Sequence, residues 1–370
     1  MHAPARTFEV YEHGEDGRAV TFATSVARLH AELQRMGLDL QDMRGERHLE
    51  LSLVADPTPD AETGRKGERP ELTWREPIAA TIRDVPSATT QSKLCYFLDG
   101  TQRTLPGYFS TAVPIVASIN AAAILHRDPA GNCRVMPGML SLRHAWLVPL
   151  KTGDGTVDRF AETVRSQGGT VVDPLVDLDG DGYASALDDF GRMVSLAFAK
   201  ARDLRQILEE ELLTDWLAQA EAENDAGWVV VDGALRIARP GMLGLVKSFT
   251  RQYLTGDDAA ALLRLPPRHR SAAFQVYDSW WRGTPVTAWY LRMHDATGRD
   301  PRYALVRVET SADVTDTAQI DELSAWLLAE RVPRATADER WATLLYPVHY
   351  LERILKRYLE AETRGWPSPR

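Results

Sequence analysis

Two apolar runs stop at the same dipeptide. In "KLCYFLDGTQ", Leu94 to Leu98 are apolar and Asp99-Gly100 follows; in "WVVVDGALRI", Trp228 to Val231 are apolar and Asp232-Gly233 follows. Short apolar runs such as these, the second of them mostly β-branched, predict strands buried on both faces, ended by a favoured turn dipeptide. Apolar segments around 112–125 and 143–149, separated by "PAGNCR", predict that the first strand opens a β-meander. A long helix is expected over about 187–222, strands at 287–293 and 302–310, and two final helices at about 317–331 and 348–362. Before all these, Val26, Leu29, Leu33 and Met36 recur at helical spacing and Gly37 supplies a stop, whereas 55–72 reads as an exposed loop rich in Pro, Gly and charge.

Strands first, then helices alternating with further strands, predict a mixed α/β layer fold. The expected organisation is an N-terminal extension over 1–90, a main domain over 91–362 and a tail over 363–370. Composition changes this picture little: 44% hydrophobic and 26% charged residues suit a globular chain. No apolar run is long enough to span a bilayer and the first residues hold no apolar signal core, so a cytoplasmic location is expected. Cys95 and Cys133 are the only cysteines, too few for a disulfide framework or a thiolate zinc site. The net charge of −9 argues against a protein that coats nucleic acid, but not against an acidic metal site beside a local basic groove.

The chemistry therefore centres on carboxylates. Taken singly, each Asp-Gly is a turn signal. Taken together, two strand ends bearing Asp99 and Asp232 are the rigid, hard-oxygen placement that Mg²⁺ or Mn²⁺ requires. A third acid is expected from the helix "RDLRQILEEELLTDWLAQA", where Leu204, Ile207, Leu208, Leu212 and Asp215 share a face with Glu211 at its middle, Glu209 at its margin and Glu210 outside it. Asp177, Asp179, Asp181, Gly182 and Asp188 match the spacing of a calcium-binding hand. Pro174 precedes them where a helix would be needed, so the segment is expected to be a solvated acidic loop. Histidine spacing gives no support to a zinc site, and there is neither a nucleophile elbow nor a phosphate-binding loop of Walker type. Trp280, Trp281, Trp289 and Tyr290 read as core or interface aromatics, with base stacking as the rarer use.

The order of these pieces resembles the NurA nucleases. The likeness runs over about residues 90–360 and rests on Asp99-Gly100-Thr101, Arg205 with Glu209 to Glu211, Asp232-Gly233-Ala234-Leu235, Lys247 in "GMLGLVKS", Arg307-Val308-Glu309, and Tyr346-Pro347. It implies an RNase H-like mixed β-sheet flanked by helices and a manganese-dependent site (Mg²⁺ as substitute, two ions). The implied activity is a 5′-end exonuclease and single-strand endonuclease on DNA, in the end resection of double-strand-break repair. It further implies a homodimer working with a HerA-type hexameric ATPase, in repair or in phage defence. Carried over by position, Asp99 and Asp232 resemble the metal-binding acids. Anchoring on Arg205 favours Glu209 as the third ligand, where facial geometry favours Glu211. Lys247 and Tyr346 resemble the family's lysine and tyrosine near the site. Where the family carries a histidine about eight residues after that tyrosine, this chain has Ile354 and Leu355, and His349 lies on a different turn. Lys247, Arg251 and Arg307 are the cations expected to grip DNA. The alternatives are an inactive nuclease-fold subunit that docks on a motor ATPase, and a metal-dependent phosphatase of small substrates.

Overall fold

The computed structural model describes residues 21–42, 44, 72–77, 82–223, 227–247, 253–277, 284–332 and 341–366. The chain begins with α1 (Phe22–Arg35) and three short strands, β1 (Gln41–Asp42), β2 (Leu72–Trp74) and β3 (Arg83–Asp84). A long meander follows, β4 (Leu94–Ser110), β5 (Val113–Arg127) and β6 (Cys133–Leu147). Next come α2 (Gly155–Ser166), β7 (Val171–Val172), α3 (Gly180–Leu187) and the long α4 (Phe190–Glu223). Strands β8 (Trp228–Val231) and β9 (Met242–Val246) lead through α5 (Gly256–Leu263) to β10 (His269–Arg270), β11 (Phe274–Val276), β12 (Val286–Arg292) and β13 (Leu305–Ser311). The last helices are α6 (Thr317–Ala329) and α7 (Tyr346–Glu362).

Among the described residues all thirteen strands join one mixed sheet, whose main path is β2-β11-β12-β13-β9-β8-β4-β5-β6-β7. Strands β4, β8 and β9 run parallel at its centre, and β5 and β6 continue antiparallel from β4. Helices cover both faces, as the mixed α/β reading required. On one face Phe97, Val230 and Leu243 pack with Leu323 and Leu327 of α6 and Leu351 and Leu355 of α7. On the other, Leu98, Val229 and Val231 pack with Leu208, Leu212 and Trp216 of α4. Each such aliphatic side chain, removed fully from water, contributes roughly 1.5–3 kcal/mol.

One expectation fails usefully. Asp99-Gly100 does not end its strand: β4 runs on to Ser110 because β5 pairs with it from Tyr96 through Ser110, setting Asp99 opposite Ala123 and Gly100 opposite Ala122. What stops at Leu98 is the parallel pairing with β8, whose final register partner is Val231. A continuous antiparallel ladder overrides the turn preference of the dipeptide. Asp232-Gly233 does end β8, with Gly233 at φ +143°, where an L side chain would be strained.

The acidic 177–188 segment is a helix start. Asp179 caps α3 by accepting from the Gly182 N–H at 2.6 Å, and Asp177 pairs with Lys200 at 2.7 Å. The described parts of the N-terminal extension are tied into the main sheet. Phe22 stacks on His144 at 4.5 Å, β2 pairs with β11 and β3 with β10. Glu76 accepts from the buried Arg270 guanidinium at 2.7 and 2.8 Å. The loop expected over 55–72 lies outside the described residues, apart from Leu72, which opens β2. No described helix is long and apolar enough to cross a membrane.

Candidate metal and phosphate site

The parallel pairing of β4 with β8 brings the two aspartates side by side. The Asp232 N–H donates to the Leu98 carbonyl at 3.0 Å, so the residue after β8 lies beside Asp99. From β9, the next parallel strand, Lys247 reaches back and donates to Asp232 Oδ2 at 2.7 Å. The loop after Asp232 is held from beneath. Glu309 Oε2 accepts the Leu235 N–H at 2.9 Å, Arg307 Nε donates to Glu309 Oε1 at 2.9 Å, and the Arg307 guanidinium lies 4.5 Å from the Tyr253 ring centre. Gly244 lets this loop sit tight on β9, since a Cβ there would stand 2.8 Å from the Gly233 carbonyl oxygen.

Of the helix glutamates, Glu209 is the one brought to this cluster. It enters over Gly100: a Cβ on Gly100 would lie 2.8 Å from Glu209 Cδ and inside contact distance of Oε1. Arg205, one turn earlier, pairs with Glu209 Oε1. Glu211 is not brought to this cluster. It is half-exposed and pairs with Arg143 of β6, while Glu210 pairs with Arg236. The expected helix face was displaced by Ile207, which is 42% exposed; the residues of α4 that bury here are Leu208, Leu212, Leu213 and Trp216. At about 100° per residue their stripe centres near Arg205 and Glu209.

A fourth acid was missed in the sequence. Glu352 of α7 is close enough to act on Asp99, together with Asp232 and Glu209. Asp99 is itself only 7% exposed. Burial pushes its carboxyl well above the usual carboxylate range, Asp232, Glu209 and Glu352 push the same way, and Lys247 opposes them. The signal for Glu352 was periodicity: Val348, Leu355 and Leu359 bury, and Glu352 projects on their side of the helix. Glu352 also pairs with Lys356 at 2.8 Å, and its carboxylate lies 3.8 Å from His349 Nδ1.

No family model and no curated protein matches this chain.

Four carboxylates with no thiolate form the hard-oxygen donor set that Mg²⁺ and Mn²⁺ take. An excess of negative charge around a buried Asp99 is a charge pattern that a divalent cation would relieve. As the side chains stand, no three His, Cys, Asp or Glu among the described residues are gathered as a ready metal cage. Asp232 is turned to Lys247, and Glu209 to Arg205.

The remaining expected residues fall elsewhere. Tyr346 opens α7 with its side chain 57% exposed, and its N–H donates to the Glu330 carbonyl at 2.8 Å. Arg307 is fully buried in its pair with Glu309, so it offers no surface to DNA; the sequence pattern of a strand cannot tell an inward arginine from an outward one. Arg251, Trp280 and Trp281 lie outside the described residues. Trp289 and Tyr290 are fully buried. Trp289 donates to Ser324 Oγ at 2.9 Å, and the Tyr290 hydroxyl accepts the Tyr253 N–H at 3.0 Å.

Proposed function

We propose that this chain is a divalent-metal-dependent deoxyribonuclease with an RNase H-like core, hydrolysing phosphodiester bonds at the cluster of Asp99, Glu209, Asp232 and Glu352. The observation that carries this reading is the approach of three acids, Asp232, Glu209 and Glu352, to the buried Asp99 from three other elements. The strand order supports it. Along β6-β5-β4-β8-β9, three antiparallel strands are followed by β8, parallel to β4, and β9, parallel to β8, the order of an RNase H-like sheet.

Asp99, Glu209, Asp232 and Glu352 are the residues that would hold the metal, Mn²⁺ or Mg²⁺. When bound, a pair of such ions supplies Lewis-acid activation of water and neutralises charge at the scissile phosphate. The chain's own groups supply placement. Glycine at 100 admits Glu209, the Glu309 carboxylate fixes the loop after Asp232, and the Lys247 ammonium stands beside Asp232 to offset negative charge on a phosphoryl oxygen. The resemblance to NurA nucleases adds a homodimer, a HerA-type ATPase as partner and a place in DNA end resection.

The rival reading, a silent subunit docking on a motor ATPase, draws on the Lys247–Asp232 and Arg205–Glu209 pairs, in which resident cations already occupy two of the acids. One assay separates them. Purified chain is incubated with end-labelled single- and double-stranded DNA, with Mn²⁺, Mg²⁺ or chelator. Metal-dependent cleavage lost in Asp99→Asn and Asp232→Asn supports the nuclease. Cleavage equal in wild type and variants, or absent in wild type with the partner ATPase present, overturns it.

A further inference from the structure

The outer face of α7 presents a line of side chains that the acid cluster does not use. Tyr346, Tyr350, Arg353 and Arg357 recur at i, i+4, i+7 and i+11, and all four are exposed, the two tyrosines by 57% and 38%. At 1.5 Å rise per residue they form a single stripe about 16 Å long. Large exposed apolar side chains occurring singly need no explanation, but two tyrosines on successive turns in line with two arginines form an ordered patch. Among the described residues neither Arg353 nor Arg357 pairs with a carboxylate, as is also true of Arg28, Arg134 and Arg165, whereas the neighbouring Lys356 is held by Glu352. In a chain of net charge −9, the exposed side of this helix carries Arg353, Lys356 and Arg357 against the single exposed acid Glu360, beside two exposed phenols. The same helix carries Glu352 towards Asp99 on its inner side.

We propose that this stripe is a track for single-stranded DNA, leading a strand along α7 to the acid cluster. The proposal rests on the nuclease reading for its direction, but not for its binding chemistry. Tyr346 and Tyr350 offer ring faces to successive bases, a contact open to any sequence, and Arg353 and Arg357 meet backbone phosphates. Duplex DNA suits the stripe poorly, because its bases are stacked on one another and present no face to a tyrosine.

The test uses full-length Asp99→Asn protein in chelator, so that cleavage does not consume the probe. Binding of a fluorescent oligothymidylate is followed by anisotropy from low to moderate salt, in this background and with Tyr346→Ala/Tyr350→Ala or Arg353→Gln/Arg357→Gln added. The expected results are a tenfold or greater loss for the tyrosine pair, and for the arginine pair a log–log salt slope shallower by about 1.4, from two phosphates at about 0.7 each. Duplex of the same length should change less than threefold. Unchanged oligothymidylate binding in both double variants, with circular dichroism intact, overturns the track. So does equal loss for single strand and duplex, or a change of mass in light scattering that identifies the stripe as a contact between two copies of the chain. Cleavage is read separately, with Asp99 restored. Stripe variants that bind weakly while wild type shows no metal-dependent hydrolysis would defeat the nuclease reading and leave the track standing.

Discussion

Gly100 and Glu209 meet where no larger residue fits: a Cβ on Gly100 would come 2.8 Å from Glu209 Cδ and 2.9 Å from its Cγ. The atoms in the way are the far end of a flexible side chain, so Gly100→Ala should fold and displace the glutamate. The expected result is DNA cleavage reduced on the order of 100-fold in both Gly100→Ala and Glu209→Gln, a loss of about 2.7 kcal/mol in transition-state stabilisation. Glu211→Gln, which breaks only an exposed pair with Arg143, should remain within twofold of wild type. Steady-state rates on a labelled oligonucleotide check all three; a silent Glu209→Gln or a dead Glu211→Gln would reverse the assignment.

Asp99 is destabilised as a carboxylate by burial and by three neighbouring acids. Replacing it with Asn removes that repulsion, so Asp99→Asn should melt at or above the wild-type temperature in chelator. Wild type should gain stability as Mn²⁺ is added, because a ligand bound only by the folded state stabilises it. The variant should lose most of that gain together with cleavage. Thermal melts across a Mn²⁺ titration decide the matter, and an equal rise in both proteins would move the metal elsewhere.

Glu352 should behave as part of the cluster although its helix lies late in the chain. Glu352→Gln is expected to lower cleavage at least tenfold with little change in the melt, whereas Glu360→Gln, exposed on the same helix, should do nothing measurable. Paired activity and melting measurements check this, and equal effects of the two substitutions would remove Glu352 from the site.

Much of this architecture was legible in the sequence, and the failures have physical causes. Strand β8 falls where the Trp228–Val231 run placed it, because an uninterrupted β-branched run ended by Asp-Gly suits few other structures. The meander was readable from its apolar segments and the turn between them, but the length of β4 was not, since a ladder formed with residues 113–127 decides it. Asp99 and Asp232 were legible as a pair because each follows an apolar run as Asp-Gly, and those two runs are the stretches that pair in parallel, although only Asp232 ends its strand. Glu209 was ambiguous because Ile207, apolar yet exposed, displaced the apparent face of α4. Glu352 was missed because only the tertiary packing of α7 on β4 gives it a neighbour in Asp99. Arg307 was misassigned because a strand arginine buried against a glutamate two residues on has the same sequence as one facing solvent.

The extension should report its own loss through Glu76. Burial raises that carboxyl's pKa, but the Arg270 guanidinium and the Ala273 N–H outweigh it and hold the group at about 2. A folded-state pKa below the unfolded one near 4.5 gives stability that is present above the unfolded value and lost as pH falls towards about 2. Denaturant midpoints should therefore drop across that window in wild type, and less steeply in Glu76→Gln. At neutral pH the same substitution should cost about 3–5 kcal/mol, as expected when one partner of a buried pair is removed. Equal slopes in the two proteins would show that the pair does not set the acid limb.

Arg307 and Lys247 make opposite predictions. Arg307 is enclosed with Glu309, and that carboxylate in turn holds the Leu235 N–H beneath the Asp232 loop. Arg307→Met takes a charged partner from a fully buried carboxylate and should cost about 3–5 kcal/mol, while leaving the salt slope of DNA binding unchanged. Adding Glu309→Leu removes the buried carboxylate as well and should restore much of the stability, because a well-packed apolar pair often replaces a buried ion pair at little cost. It cannot restore the hydrogen bond to Leu235, so the loop after Asp232 stays loose and cleavage should stay low. Lys247→Met, by contrast, should keep most of the stability, its pair with Asp232 being partly exposed, and lose cleavage on the order of 10-fold or more. Denaturant midpoints, cleavage rates and salt slopes on the three proteins test the contrast. Recovery of cleavage along with stability in the Arg307→Met/Glu309→Leu protein would show that the loop beneath Asp232 does not depend on that pair.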